Sequence, residues 1–196
     1  MLEIAIKKMA DQHIDDATLL QLISQGDEDA LATLYTRYGS NLYGYALRMV
    51  RNREAAEDVL QDSLLTIWQK AKTFRGEGRV KAWLFAIVHN KAVRTFREKE
   101  NAPLDDTAHD PEYLETKVDE KHLSRERNRL LRSGLEKLSI EHRTVLELVF
   151  YQGMTMKEIS QICEVPLGTV KSRLNYAKAA LKGVLSRQGV ALEDLK

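Results

Sequence analysis

The sequence predicts an all-α protein, two small helical domains joined by a flexible linker. Three observations carry that prediction. Only three prolines and ten glycines interrupt 196 residues, and Leu, Ala, Lys, Glu and Arg dominate, residues that lose little on entering a helix. Apolar residues recur three or four positions apart through most of the chain, the spacing of one helix face. That period stops between residues 101 and 121, in the acidic stretch NAPLDDTAHDPEYLETKVDEK, which holds two of the three prolines. The domains are therefore expected at 15–100 and 122–188, with 101–121 as the linker. Hydrophobic residues at 43% and charged residues at 30% suit packed cores with solvated faces and exclude a disordered tail.

Residues 1 to about 14 show neither a clear cap nor a long period and read as loosely ordered. A first helix starts at Asp15 or Asp16, runs through TLLQLIS and stops at Gly26. Asp27 caps a longer helix, in which Leu31, Leu34, Tyr35, Tyr38, Leu42, Ala46 and Met49 line one face. Asn52 caps the next, with a stripe of Ala56, Val59, Leu60, Ser63, Leu64, Ile67, Trp68 and Ala71. The two glycines of FRGEGR (74–79) mark a loop. A fourth helix follows, burying Leu84, Ile87, Val88, Ala92 and Phe96. Four helices of this length close a bundle-like core.

In the second domain Leu130, Leu131, Leu135 and Leu138 line one helix. Ser139 starts another, which carries Val145, Leu146, Leu148, Val149 and Phe150 as apolar residues and ends before Gly153. Thr155 and Glu158 match the capping-box pattern, in which each side chain satisfies one orphan amide of the first turn. The short helix behind them buries Met156, Ile159 and Ile162. The turn Cys163–Pro166 leads into a last helix from Leu167 toward Leu185.

A short helix, a tight turn and a longer helix outline a helix-turn-helix. In the last helix Val170, Leu174, Ala177 and Leu181 face the core. The opposite face then presents Lys171, Ser172, Asn175, Lys178 and Lys182, with Tyr176 alongside. Hydroxyl, amide and ammonium groups there can reach base edges and phosphates in a major groove. No acidic residue lies between Leu167 and Lys182, whereas a merely solvated helix usually mixes signs. Pattern alone still fits both a DNA-binding unit and a plain helical hairpin.

The formal net charge is only +1, but the charges are sorted. Acidic residues gather at Glu54, Glu57, Asp58 and Asp62 and from Asp105 to Glu120, basic ones from Arg79 to Lys99 and from Lys171 to Lys182. Opposed patches point to two kinds of partner, or to ordinary solvated helix faces.

MTMKEISQICEVPLGTVKSRLNYAKAAL closely resembles the final DNA-binding region of the extracytoplasmic-function sigma factors of the sigma-70 family. GTVKSRL, followed by Ala and Leu, is its most specific part. The first half is similar independently, in GDEDALATLYTRY, NREAAEDVLQDSLLTIWQKAKTFRG and AWLFAIVHNKAVRTFRE, in the family's order. Two matched domains around a variable linker are a stronger signal than a helix-turn-helix alone.

The resemblance implies sigma region 2, binding core RNA polymerase and the −10 element, and sigma region 4, binding the −35 element. The helix Asn52–Lys72 matches the part that grips the polymerase clamp, through Asp58, Gln61 and Asp62, with Glu57 and Leu65 beside them. The helix Lys81–Lys99 matches the part that captures the opened −10 strand, through Arg79, Asn90, Arg94 and Arg97, flanked by Lys81, His89 and Lys91. Arginines can follow a single-strand backbone while an amide reads an unstacked base. The loop Phe74–Val80 matches the one that holds a flipped base, although GEGRV departs from the usual family pattern. Trp83 fits the core better than a DNA stack. Lys171, Ser172, Asn175, Tyr176 and Lys178 match −35 readers. Lys171 and Tyr176 stand where relatives often carry arginine, so the −35 sequence does not transfer. Promoter DNA and an anti-sigma protein clamping both domains are the further partners implied.

Other chemistry finds no support. Cys163 is the single cysteine, excluding an internal disulfide, and packs better than it senses redox change. The five histidines, His13, His89, His109, His122 and His142, make no ligand cluster. Glycine-rich phosphate loops and nucleophile elbows are missing. We therefore expect no enzyme activity, no cofactor and no metal. The charged start and the lack of a long apolar run predict a cytoplasmic location without membrane insertion. The rival reading is a stand-alone helix-turn-helix regulator, which leaves the acidic face and the Arg79–Lys99 helix without a task.

Overall fold

In the computed structural model the structure describes residues 14–76, 78–100, 133–135 and 137–187. The expected linker, the start of the second domain with Leu130 and Leu131, and the first thirteen residues lie outside them. The chain divides into two compact units, Met1–His109 and Asp110–Lys196. Every regular element among the described residues is helical.

The first unit contains α1 (Asp16–Ser24), α2 (Glu28–Val50), α3 (Arg53–Lys70), a 3₁₀ turn (Ala71–Thr73) and α4 (Val80–Glu100). Each of the first three begins on an oxygen-bearing side chain that takes up free amides. Asp15 accepts from Ala17 and Thr18, Asp27 from Ala30, and Asn52 from Ala55. Gly26 ends α1 at φ +90°, which costs glycine little. α2 ends without one: Arg51 adopts φ 58° and its amide donates to the Leu47 carbonyl at 2.8 Å.

The core of this unit joins Leu34, Leu42 and Met49 of α2 to Val59 and Ile67 of α3 and Leu84, Phe85 and Val88 of α4. Tyr45 is fully buried, its ring meeting Phe85 edge-on at 5.4 Å between centroids. Tyr35, expected on the buried face of α2, is exposed. Its ring lies over Gly39, where a Cβ would come within 2.7 Å of it. Asp16 ties α1 to α2, accepting from Arg37 Nη1 at 2.8 Å and from the Tyr38 hydroxyl.

The second unit contains α5 (Ile140–Leu146), a π-helical turn (Glu147–Tyr151), α6 (Met156–Ile162) and α7 (Leu167–Arg187). Val145, Leu146, Leu148, Ile159, Ile162, Val170, Leu174, Ala177 and Leu185 form its core, closed by Leu135 and Leu138. Of the apolar residues of this segment, Phe150 lies outside the core. The Gln152 amide donates to the Glu147 carbonyl five residues back, a wider turn than an α-helix makes. Gln152 then takes an inward position, while Phe150 and Tyr151 are 61% and 54% exposed.

Candidate functional site

Two faces of opposite charge lie on adjacent helices of the first unit. On α3, Asp58, Gln61 and Asp62 are all exposed, and Leu65, one turn on, is 56% exposed. They follow one another at i, i+3, i+4 and i+7, so they share one side of the helix. Leu65 puts one apolar side chain beside this polar row. Glu57 is engaged by Arg53 Nε at 3.0 Å.

On α4, Asn90, Arg94 and Arg97 are exposed at i, i+4 and i+7. Arg94 Nε donates to Glu98 at 2.8 Å, which holds the guanidinium along the helix. Arg79 is exposed in the loop just before the helix. Lys91 reaches back to Asp62, 3.7 Å away, so the basic and acidic faces meet.

His89 does not join them. It is buried, and its Nδ1 shares a 2.8 Å hydrogen bond with the Tyr45 hydroxyl. Its place between Val88 and Asn90 matches the basic run, but the helix turns it inward. Trp83 is only partly buried and packs edge-on against Phe74 of the preceding loop, with ring centroids 5.7 Å apart. Lys81 lies over the Phe85 ring at 5.8 Å. Gly76 and Gly78 hold the intervening loop with φ of +73° and +90°.

In the second unit the capping box forms at the head of α6. Glu158 accepts from the Thr155 amide at 2.8 Å, and Thr155 Oγ1 accepts from the Glu158 amide at 3.3 Å. The turn is locked by Ser160 Oγ donating to the Val165 carbonyl at 2.6 Å and by Glu164 at φ 52°. Pro166 starts α7 with its carbonyl, which accepts from Thr169 and Val170. Cys163 closes α6, and burial pushes its thiol up to about 11, away from the thiolate that redox chemistry needs.

Lys171, Ser172, Asn175, Tyr176, Lys178 and Lys182 are all exposed along α7, a helix without an acidic residue. Ser172 Oγ donates to the Thr169 carbonyl at 3.0 Å. Two neighbours of this face were not legible in the sequence. The His142 ring lies 6.5 Å from that of Tyr176, and the Lys178 ammonium lies 5.6 Å above the Phe150 ring. Both come from the α5 segment, whose approach to α7 no local spacing encodes.

The geometry is one of surfaces. Among the described residues no group of His, Cys, Asp and Glu could hold a metal ion, and no helix is long and apolar enough to cross a membrane.

Comparison with known proteins agrees with this arrangement. Residues 34–102 match the model of Sigma-70 region 2 and residues 134–183 that of Sigma-70, region 4. A relative from Mycobacterium tuberculosis, the ECF RNA polymerase sigma factor SigL, is 34% identical over 164 residues, 82% of this chain and 91% of the relative. The chain belongs to the extracytoplasmic-function sigma factors of the sigma-70 family. Its fold recurs in solved structures. CnrH, solved with the cytosolic domain of CnrY, gives a TM-score of 0.66 at 23% identity, covering 88% of this chain and 97% of that one. The sigma factor RpoE of Bartonella quintana, solved with the anti-sigma factor NepR, gives 0.63 at 23% identity, covering 79% and 96%. This sigma factor is thus a transcription initiation factor of region 2 and region 4 architecture, with α6 and α7 as its helix-turn-helix.

Proposed function

We propose that this sigma factor binds core RNA polymerase through region 2, at 15–100, and places region 4, at 122–188, on the −35 duplex, with 101–121 as the connecting linker. The observation that carries this reading is the pair of opposed faces in one unit. The acidic row Asp58, Gln61 and Asp62 beside exposed Leu65 suits a basic, partly apolar helical surface on the polymerase. The basic row Asn90, Arg94 and Arg97, with Arg79, suits the opened −10 strand, where an amide reads an unstacked base and guanidiniums follow phosphates.

On the −35 duplex Lys171, Ser172, Asn175 and Tyr176 would meet base edges, and Lys178 a phosphate. Extruding a base costs a few kcal/mol, within what polymerase binding and pocket contacts can offset, so melting needs no nucleotide hydrolysis. The protein then acts in the cytoplasm, with the polymerase, and catalyses nothing itself. Two solved relatives are held in complexes with another protein, CnrY for CnrH and the anti-sigma factor NepR for RpoE. An anti-sigma protein clamping this chain is accordingly proposed as its regulator.

The experiment is transcription by purified core polymerase on pooled genomic fragments, with and without this protein. Defined start sites that appear only on its addition support the reading. Specific duplex binding by the protein alone, with core polymerase indifferent to it, would replace it with the stand-alone regulator.

A further inference from the structure

The π-helical turn Glu147–Tyr151 carries a large aromatic side chain, Phe150, on the surface. Phe150 is 61% exposed, so it contributes little to the core, and an isolated exposed ring gains nothing from water. It has one specific neighbour, the ammonium of Lys178, 5.6 Å from the ring centroid. A cation over the face of an aromatic ring is attracted by the ring's negative face, and the attraction is specific to π-systems. Lys178 lies on the exposed side of α7, one turn beyond Leu174 and in the same run as Lys171 and Asn175.

A lysine side chain is long and rotationally free, and fixing it on a phosphate costs rotamer entropy. Lys178 is already partly fixed by the ring. Lys182, one turn further along the same helix, is exposed as well.

We infer that Phe150 is a positioning residue for the −35 contact: its exposed ring holds the Lys178 ammonium in place for a DNA phosphate. This rests on the proposed role of Lys178 in −35 binding. The partner is the phosphate backbone, so the effect is on affinity and is independent of base sequence.

The test is a double-mutant cycle in the holoenzyme, using the strongest promoter fragment recovered from the pooled transcription. Lys178→Ala should weaken binding and lower the salt slope, log K against log salt, by about one phosphate contact. Phe150→Leu should weaken binding by roughly two- to fivefold, the range of an exposed cation–π contact. Phe150→Tyr, which keeps the ring, should leave it unchanged. The double variant Phe150→Leu, Lys178→Ala should bind no worse than Lys178→Ala alone. Position 150 supports no core, so circular dichroism should show all variants folded.

If Lys178→Ala binds like the parent, the −35 reading of that lysine fails, and the inference with it. If Lys178→Ala weakens binding but Phe150→Leu does nothing, or the two losses multiply, the −35 reading stands and the inference is overturned. If Phe150→Leu instead lowers affinity for core polymerase, Phe150 belongs to a protein interface and the inference is likewise overturned.

Discussion

The ammonium of Lys91 on α4 lies 3.7 Å from the carboxylate of Asp62 on α3, joining the basic and acidic faces of region 2 by one ion pair. Asp62 keeps most of its side chain in water, at 71% exposed, against 30% for Lys91. A pair so solvated is worth little to folding. Asp62→Asn should therefore shift stability by less than about 1 kcal/mol in urea titration. A larger loss would mean that Asp62 is structural, and its assignment to a polymerase surface would lose its basis.

Tyr45 and His89, both buried, share a hydrogen bond in the region 2 core. Tyr45→Phe keeps the ring and its edge-on contact with Phe85 but leaves His89 Nδ1 unmatched. We expect a loss of roughly 1–3 kcal/mol, the cost of an unsatisfied buried polar group. It should appear as a lower urea midpoint with an unchanged slope. An unchanged midpoint would show that the bond has no net value.

The capping box of Thr155 and Glu158 starts the first helix of the helix-turn-helix. Thr155→Ala removes one of its two reciprocal bonds and should cost about 1 kcal/mol. Thr155→Ser keeps the hydroxyl and should recover most of it. Thermal unfolding of both variants decides, and equal melting temperatures would contradict the role given to the cap.

Tyr38 brings a pH dependence. Burial and its hydrogen bond to Asp16 push its phenol up to about 12, from an ordinary value of 10.0. The folded state thus holds this proton more tightly than the unfolded one. The bond's contribution is complete below pH 10.0 and is lost as pH rises through about 12. Tyr38→Phe should flatten stability against pH over that window. A parent protein already flat there would contradict the assignment.

Much of the fold was legible because helix starts are written locally. Asp27, Asn52, Ser139 and the pair Thr155 and Glu158 all cap where the sequence placed them. The candidate faces were legible for the same reason: helical spacing puts Asp58 with Asp62, and Asn90 with Arg94 and Arg97, whatever they pack against. What failed depended on other things. Phe150 is exposed although the segment around it is apolar, and apolar content alone does not say which side of a helix is covered. His89 lies inside because Tyr45, 44 positions away, supplies its polar partner. Tyr35 remains outside because Gly39 leaves a notch for its ring on the helix surface. Long-range partners and backbone irregularities were the illegible part.

The central claim is that region 2 carries one face for polymerase and another for promoter DNA. The most direct measurement compares Asp58→Lys, Asp62→Lys with Arg94→Ala, Arg97→Ala, scoring affinity for core polymerase and promoter melting by permanganate reactivity separately. The account predicts that the acidic-face variant loses polymerase binding, and melting with it. The basic-face variant should bind polymerase like the parent and fail only to melt the promoter. Loss of polymerase binding in both, or normal melting by either, would contradict it.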